Sequence, residues 1–289
     1  MVSSAQRSVP TALALVLGLA AAPAAGEEEP REVSRVATGT RWETPVYVVE
    51  GIADGPTVMI LGGVHGDERA GVGAAEEMRC FNIARGRLVI IPRTNVPALA
   101  RGTRRAPKTQ FSDLNRNFPR HPGDAPRGTL ARALWAAIHE LQPDYVIDLH
   151  EGYDFHRHNK KSVGSSVLYY PSDAGERVAR RLVKAVNVTI PERERRFALL
   201  RPPVRGSLVR AAQEQLGISS LILETTKNHQ PLEVRVNQHL LMTAELLDHL
   251  GMLRLKRSGA VSVPMTCSER RALAEVPSPA DKPTGDEGQ

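Results

Sequence analysis

Aromatic residues are scarce in this chain, which has five Phe, five Tyr and two Trp among 289 residues. Its 38 Lys and Arg outnumber its 32 Asp and Glu and give a net charge of +6, but aromatic side chains are not interleaved with the basic ones. Proteins that bind single-stranded nucleic acid use such aromatic side chains to stack on bases. We therefore expect no nucleic-acid partner. The basic excess favours anionic small substrates or an anionic polymer of the cell envelope.

Cysteine is nearly absent, with only Cys80 and Cys267 in the chain. Two thiols so far apart in the sequence do not indicate a thiolate zinc site. Either they pair in an oxidising compartment and fasten the end of the chain to the core, or they remain two separate thiols. The sequence leaves both alternatives open.

Long apolar runs are also missing, and the apolar stretch at residues 12–22 is too short for a membrane span. With Arg7 before it and the small-residue site Ala22-Pro23-Ala24 at its end, it predicts a cleaved signal peptide over residues 1–25. We therefore expect a periplasmic or secreted protein with no transmembrane segment after signal cleavage. The alternative is an uncleaved N-terminal anchor.

The remaining chain predicts one folded domain with polar ends. Residues 26–31 form a polar lead-in, and residues 32–256 have the length and periodicity of a single α/β catalytic domain. Residues 257–289 are rich in Pro, Gly and charge. Such a segment buries too little apolar surface to offset its ordering entropy, so we expect a disordered tail.

Short apolar runs alternate with amphipathic stretches along the domain. The apolar runs predict strands at residues 47–49, 57–61, 87–91, 145–149, 167–170 and 221–223. The amphipathic stretches predict helices at residues 71–83, 129–141, 174–188, 207–216 and 232–250. Ser207 is a plausible N-cap, and Gly217 would close that helix. The alternation predicts an α/β three-layer sandwich with a mostly parallel, mixed, twisted sheet.

Reactive side chains follow three of these strands at their carboxyl ends. His65 and Glu68 lie in GGVHGDE, His150 ends DYVIDLH, and Glu224 ends LILE. Sites in open α/β sheets gather at that edge. Two histidines and one carboxylate are the ligands of a hydrolytic zinc, and a further Glu can move protons. The sequence therefore predicts one Zn²⁺ on His65, Glu68 and His150, with Glu224 as base and Asp148 orienting His150.

Each of these residues also has an ordinary alternative. His65 would suit a solvated turn, and Glu224 would suit a salt bridge to Lys227 or to an arginine. His156 and His158 are rival third ligands, although the polar segment that holds them has no strand to fix it.

Two further groups of residues suit anionic partners. Asn115 and Arg116 in SDLNRNFPR combine a directed amide with a planar, bidentate guanidinium, which suits a substrate carboxylate. Arg157, Lys160 and Lys161 would meet additional anionic groups of a substrate or form a solvated basic loop.

The motifs VHGDE, DLNRNFP, DLH and LILE, in this order, resemble the zinc carboxypeptidase superfamily and its succinylglutamate desuccinylase/aspartoacylase branch. The resemblance covers about residues 45–250. It implies zinc ligands at His65, Glu68 and His150 and a general base and acid at Glu224.

The same resemblance implies roles for the residues between these motifs. Asp113 would orient His65, while Asn115 and Arg116 would hold the substrate carboxylate. An arginine of GTRR would stabilise the developing oxyanion, and Arg104 matches the family pattern better than Arg105, which we assign to substrate binding.

The chain also departs from its relatives in two ways. Digestive carboxypeptidases place a Tyr shortly before the catalytic Glu, whereas this chain has no Tyr after Tyr170. The cytosolic branch members carry a β-rich domain after that Glu, whereas here one long helix and a polar tail follow.

These observations predict a secreted zinc hydrolase that cleaves an amide bond next to a carboxylate. Its substrate would be a small molecule or peptide with a carboxylate, and peptidoglycan stem peptides suit the compartment. The chemistry is that of a deacylase or a carboxypeptidase. The alternatives are an inactive zinc- or carboxylate-binding module of the same fold and a basic binder of anionic polymers.

Overall fold

The structure, a computed structural model, describes residues 31–253 and 263–274. The predicted signal peptide and residues 26–30 of the lead-in lie outside the described residues. Within the described ranges, no helix is long and apolar enough to cross a lipid bilayer.

Eight strands form one mixed sheet in the described part of the chain, in the order β1-β2-β4-β3-β5-β8-β6-β7. The strands are β1 Arg31–Val36, β2 Thr44–Glu50, β3 Ala53–Gly62, β4 Arg85–Ile91, β5 Tyr145–Gly152, β6 Ser166–Tyr169, β7 Ala198–Leu200 and β8 Ser219–Thr226. The four central strands β4, β3, β5 and β8 run parallel, while β1, β2 and β6 introduce antiparallel pairs nearer the margins. The predicted mostly parallel, mixed sheet is confirmed.

Helices cover both faces of this sheet and complete a three-layer sandwich. They are α1 Arg69–Met78, α2 Val96–Arg101, α3 Thr129–Leu141, α4 Asp173–Asn187, α5 Leu208–Leu216, α6 Leu232–His249 and α7 Cys267–Ala274. One apolar cluster joins α1, α4 and α6 to the sheet through Met78, Leu182 and Leu246. A second joins α3 and α5 to the other face through Leu134 and Leu208. Apolar burial on both faces explains the nearly continuous hydrophobic runs of the central strands.

Helix α5 has the predicted boundaries. The Ser207 hydroxyl accepts a hydrogen bond from the Arg210 backbone N–H, and Gly217 ends the helix in the left-handed region at φ 69°. A capping hydroxyl and a C-terminal glycine satisfy backbone groups that a helix leaves open at its ends.

Helix α1 packs against the sheet without intervening side chains. A Cβ atom on Gly71 would lie 2.5 Å from the Leu149 carbonyl oxygen of β5, and one on Gly62 would lie 2.5 Å from the Gly71 carbonyl oxygen. Glycine permits this approach because it has no Cβ. The start of α1 is thereby held close to the carboxyl ends of β3 and β5.

The expectation of a disordered tail from residue 257 is wrong for residues 263–274. Helix α7 lies on α1, and a disulfide joins Cys80 to Cys267. The Ser268 backbone N–H and hydroxyl both donate to the Glu77 carboxylate, at 2.7 and 2.6 Å. The disulfide and these polar contacts hold the short helix α7 in place, although it buries little apolar surface. Amino-acid composition does not reveal such contacts, so the prediction from composition failed here. The rest of the predicted tail lies outside the described residues.

Candidate metal centre

The parallel strands bring the predicted site residues to one edge of the sheet. In the register of β5 and β8, His150 is paired with Glu224. Strand β3 lies beside β5 and ends at Gly62, three residues before His65. Helix α1 then begins directly after Glu68. Residues separated by about 160 positions thus lie at one edge of the sheet, as the positions of the strand ends predicted.

His65, Glu68 and His150 form one buried cluster. The Nδ1 atoms of His65 and His150 lie 2.7 Å from Glu68 Oε1 and Oε2 respectively, and 3.1 Å from each other. One ligand atom of each residue lies within 4.8 Å of the others. Each of the three side chains is at most 4% exposed. The rival ligands His156 and His158 do not belong to this cluster.

Carboxylates contact the outer nitrogens of both imidazoles. Asp148 Oδ2 lies 2.7 Å from His150 Nε2, and Asp113 Oδ1 lies 3.3 Å from His65 Nε2. A carboxylate that accepts the Nε2–H of an imidazole leaves the Nδ1 lone pair free for a metal. Asp113 and Asp148 therefore lie where the sequence placed them as orienting groups.

Electrostatics in the cluster suit a cation. Burial opposes the charged form of Asp113, but the hydrogen bond with His65 and the nearby Arg104 hold the pKa of its carboxyl below its usual range. Burial likewise opposes protonation of His150, but Asp148 and Glu68 raise its pKa well above the usual value. The raised pKa of His150 reflects the negative charge of Glu68 and Asp148 around its ring, which a divalent cation would neutralise.

The donor set fits zinc. Zn²⁺ binds imidazole nitrogens at about 2.0–2.1 Å, so two nitrogens on one tetrahedral ion lie about 3.3 Å apart. The 3.1 Å between the two Nδ1 atoms is close to this spacing. Two convergent imidazoles and one carboxylate also leave one tetrahedral position free for water or substrate.

Glu224 lies beside this cluster with a free carboxylate oxygen. The side chain is buried, and within the described residues its Oε2 has no hydrogen-bond partner. Burial raises the pKa of Glu224 to about 8 against the opposing effect of His150. Lys227 instead pairs with Asp67, with 3.0 Å between Nζ and Oδ2. The alternative in which Lys227 neutralises Glu224 is therefore wrong.

Arg104 is the arginine of the GTRR motif that contacts the cluster. Its Nη1 lies 3.4 Å from Glu68 Oε1, and its Nε lies 3.4 Å from Asp113 Oδ2. Its side chain remains 42% exposed, so the guanidinium lies between the cluster and solvent. Arg105 makes no side-chain contact with the cluster among the described residues, so its predicted part in the site receives no support from these contacts.

Asn115 and Arg116 also border the cluster, in a 3₁₀ turn over Leu114–Arg116. Asn115 Nδ2 lies 3.2 Å from His150 Nε2, and Asn115 Oδ1 accepts a hydrogen bond from the Leu208 backbone N–H at 3.0 Å. The Arg116 guanidinium donates to the Asn115 carbonyl at 2.7 Å and is partly exposed. Asn115 thus lies between His150 and the start of α5, and its docking of a substrate carboxylate stays a prediction.

The basic loop after β5 has mainly structural contacts. His156 Nδ1 lies 2.8 Å from the Ser162 carbonyl oxygen, and Arg157 donates to the carbonyls of Arg196 and Phe197. These contacts anchor the loop, and the contact of Arg157 with substrate anions stays a prediction. Lys160 and Lys161 are exposed.

Sequence reasoning missed Glu151, which directly follows His150. Its backbone N–H donates to Glu68 Oε2 at 3.2 Å, and its side chain is buried. The apolar run ends at Leu149, but β5 continues to Gly152. The sequence did contain one indication of its importance, because Glu151 is a charged residue directly after the candidate ligand His150.

Two imidazoles, the carboxylate between them and a buried glutamate lie together at one edge of the α/β sheet. This fold and this set of side chains are those of the class of carboxypeptidase-like hydrolases. Within that class, the chain belongs to the family described as the succinylglutamate desuccinylase/aspartoacylase catalytic domain, whose model matches residues 54–250. The resemblance inferred from the four motifs is confirmed. The family comprises hydrolases of amide bonds next to carboxylates.

Individual relatives cover parts of the chain. The N-alpha-acetyl-L-2,4-diaminobutyric acid deacetylase of Halomonas elongata is 35% identical over 112 residues, which are 37% of this chain and 32% of that protein. Tripeptide-bound Csd4 from Helicobacter pylori has a TM-score of 0.65 at 19% identity, covering 80% of this chain and 60% of Csd4. A succinylglutamate desuccinylase/aspartoacylase from Rhodobacter sphaeroides has a TM-score of 0.50 at 25% identity, covering 76% of this chain and 64% of that one. The matched part spans less than two thirds of each relative, and the likeness to Csd4 concerns the fold.

Proposed function

We propose that the protein is a zinc-dependent hydrolase that cleaves an amide bond next to a carboxylate, as a deacylase or carboxypeptidase. One observation carries this proposal. The two Nδ1 atoms and the Glu68 carboxylate converge beside the buried carboxylate of Glu224, whose Oε2 has no hydrogen-bond partner among the described residues. The family match supports the reaction class.

His65, Glu68 and His150 would hold the ion, with Asp113 and Asp148 fixing the two imidazoles. When bound, zinc would polarise the scissile carbonyl and lower the pKa of a coordinated water towards neutrality. Glu224 accepts the proton of the attacking water and delivers it to the departing nitrogen. The first step requires the ionised form of Glu224, which a divalent cation held by the neighbouring ligands would favour by offsetting the effect of burial on the pKa.

Two arginines give the site its preference for anions. Arg104 faces the cluster from the solvent side and would donate to the oxyanion as the tetrahedral intermediate forms. Arg116 is partly exposed beside Asn115 and would bind the substrate carboxylate. Together these donors favour substrates with a carboxylate close to the scissile bond.

We place the substrate among acyl-amino acids and short carboxylated peptides, including peptidoglycan stem peptides, outside the cytoplasm. One relative is named as a deacetylase of an acetylated amino acid, and another as a D,L-carboxypeptidase. The Cys80–Cys267 disulfide and the predicted signal peptide support an oxidising compartment. Cell fractionation tests this location, and a full-length cytoplasmic product would contradict it.

The experiment compares wild type with Glu224→Gln on acyl-amino acids, C-terminal peptides and muropeptides, after zinc loading. We expect wild type to turn over one of these classes and Glu224→Gln to lose about 10²–10⁴-fold in kcat, because the proton shuttle is removed. Both proteins should retain one equivalent of zinc by metal analysis, whereas His65→Ala and His150→Ala should lose it.

The matched control is Glu50→Gln, which changes an exposed carboxylate at the opposite edge of the sheet. It should leave turnover unchanged. Zinc-loaded wild type that binds metal but hydrolyses none of the substrates would support an inactive binding module instead. Equal turnover by wild type and Glu224→Gln would remove the proposed mechanism.

A further inference from the structure

Glu151 is a buried acid that the proposed chemistry does not use. Its side chain is 0% exposed. A buried carboxylate is strongly unfavourable unless it is paired and hydrogen-bonded. The partners of Glu151 therefore indicate what it does.

The Glu151 carboxylate joins two helices. Its Oε2 accepts a hydrogen bond from the Ala70 backbone N–H of α1 at 2.8 Å. Its Oε1 forms an ion pair with Arg235 Nη1 of α6, and the Arg235 side chain is only 12% exposed. Glu151 is therefore bound to α1 and α6 while its own backbone contacts Glu68.

Helix α1 needs an acceptor from outside its own sequence. Its N-cap residue is Glu68, which makes no side-chain capping hydrogen bond because its carboxylate is directed to His65 and His150. The first N–H groups of a helix have no partner within the helix, and a negative charge near them is stabilising. Glu151 supplies this acceptor and this charge from the neighbouring strand, so Glu68 remains free to face the imidazoles.

We propose that Glu151 and Arg235 act as a positioning pair for the metal ligand Glu68, an inference that rests on the proposed zinc-dependent function. The pair fixes the start of α1 against the end of β5, and with it the direction in which Glu68 points. Neither side chain contacts the reacting atoms. Its loss should therefore weaken and distort metal binding rather than remove a chemical step.

The experiment measures the Zn²⁺ dissociation constant by competition with a chromophoric chelator, together with the visible absorption of the Co²⁺-loaded protein. In Glu151→Gln, the amide cannot accept from Ala70 and also pair with Arg235, and Arg235→Met leaves the carboxylate without its cation. We expect each variant to bind Zn²⁺ about 10–100-fold more weakly and to show a changed Co²⁺ spectrum, as is typical when groups behind a ligand are lost. The double variant should be little worse than either single variant, because the two residues act as one unit.

Two further variants separate positioning from general stability. Glu245→Gln breaks another ion pair of α6, in which Arg181 Nε lies 2.6 Å from Glu245 Oε1, without touching the cluster. It should leave the Zn²⁺ affinity and the Co²⁺ spectrum unchanged. Arg235→Lys keeps the positive charge and should recover part of the affinity lost in Arg235→Met. Should Glu151→Gln fail to fold, the two Arg235 variants carry the test.

Folded variants with the wild-type affinity and spectrum would overturn the positioning role while leaving the zinc-dependent function in place. A wild-type protein that binds no zinc would overturn the proposed function and the positioning pair together. The two failures are therefore distinguishable in one set of titrations.

Discussion

His239 illustrates how a single buried residue can set the acid stability of this protein. It lies fully buried on α6, with Nε2 3.3 Å from Thr225 Oγ1. Among the described residues, its Nδ1 has no hydrogen-bond partner. Burial lowers the pKa of His239 to about 3, with a further contribution from His150. The side chain is therefore neutral in the folded protein at pH values where it is charged in the unfolded chain.

This difference predicts a pH-dependent stability. A histidine of depressed pKa gives its full stability above its unfolded pKa of about 6.5, and that stability is lost as the pH falls towards 3. Between pH 7 and pH 4.5, wild type should lose about 2–3 kcal/mol more free energy of unfolding than His239→Gln, which stays neutral. Urea unfolding of both proteins in the presence of a chelator measures this difference. Parallel losses in the two proteins would show that His239 does not titrate on unfolding.

The site residues that could be predicted from the sequence are marked by a local pattern, whereas the missed ones are not. His65, His150 and Glu224 are polar residues at or just after the ends of apolar runs, so their position along the sequence marked them as candidates. Glu151 and Arg235 are 84 positions apart and meet only because α6 packs beside α1 and β8. No local pattern encodes such a pair. The same holds for the contact of Asn115 with His150, which depends on the path of the chain between α2 and α3.

Among the elements, helix α1 fits closely against the site. It starts directly after Glu68, and Gly71 brings its backbone against the Leu149 carbonyl of β5. Two glycines of this helix have different surroundings. A Cβ on Gly71 would meet backbone at 2.5 Å, whereas one on Gly73 would meet only the end of the Val236 side chain at 3.0 Å.

We therefore expect opposite outcomes from two matched substitutions. Each Gly→Ala change gains about 1 kcal/mol of helix propensity. In Gly71→Ala the backbone clash outweighs this gain and costs about 1–3 kcal/mol, as overpacking generally does. It should lower the thermal midpoint and weaken Zn²⁺ binding, because the start of α1 is displaced. Gly73→Ala should be neutral or stabilising with unchanged Zn²⁺ affinity. Similar midpoints for the two variants would argue against a close fit of α1.

The accuracy of the predicted elements follows from burial. Strands β3, β4, β5 and β8 are covered on both faces, so their apolar runs revealed them. β1 was missed because five of its six residues are exposed, so its sequence contains no apolar run. β7 was missed because it has only three residues. β5 and β8 extend beyond their apolar runs because their last residues form the site instead of the core.

At the scale of the whole molecule, the Cys80–Cys267 disulfide links two distant parts of the sequence. It spans 187 positions and so encloses most of the described domain in one covalent loop. Closing a loop of this length removes conformational entropy from the unfolded chain, which corresponds to roughly 5 kcal/mol in the chain-entropy model. Within the described residues, α7 contacts the domain through α1, so the native core does not depend on the bond for its packing.

Loss of the disulfide should therefore lower the free energy of unfolding without changing the fold. We expect the double variant Cys80→Ser and Cys267→Ser to lose up to about 5 kcal/mol of unfolding free energy, because its unfolded chain is no longer cross-linked. Its Zn²⁺ affinity should remain that of wild type, since the Glu151 contacts rather than α7 hold the start of α1. Limited proteolysis should cleave the variant faster near residues 263–274, where α7 has lost its anchor. Reduced wild type is the control and should match the double variant in all three measurements. An unchanged denaturant midpoint would mean that the unfolded chain stays compact without the bond, and a loss of Zn²⁺ binding would mean that α7 supports the metal centre through α1.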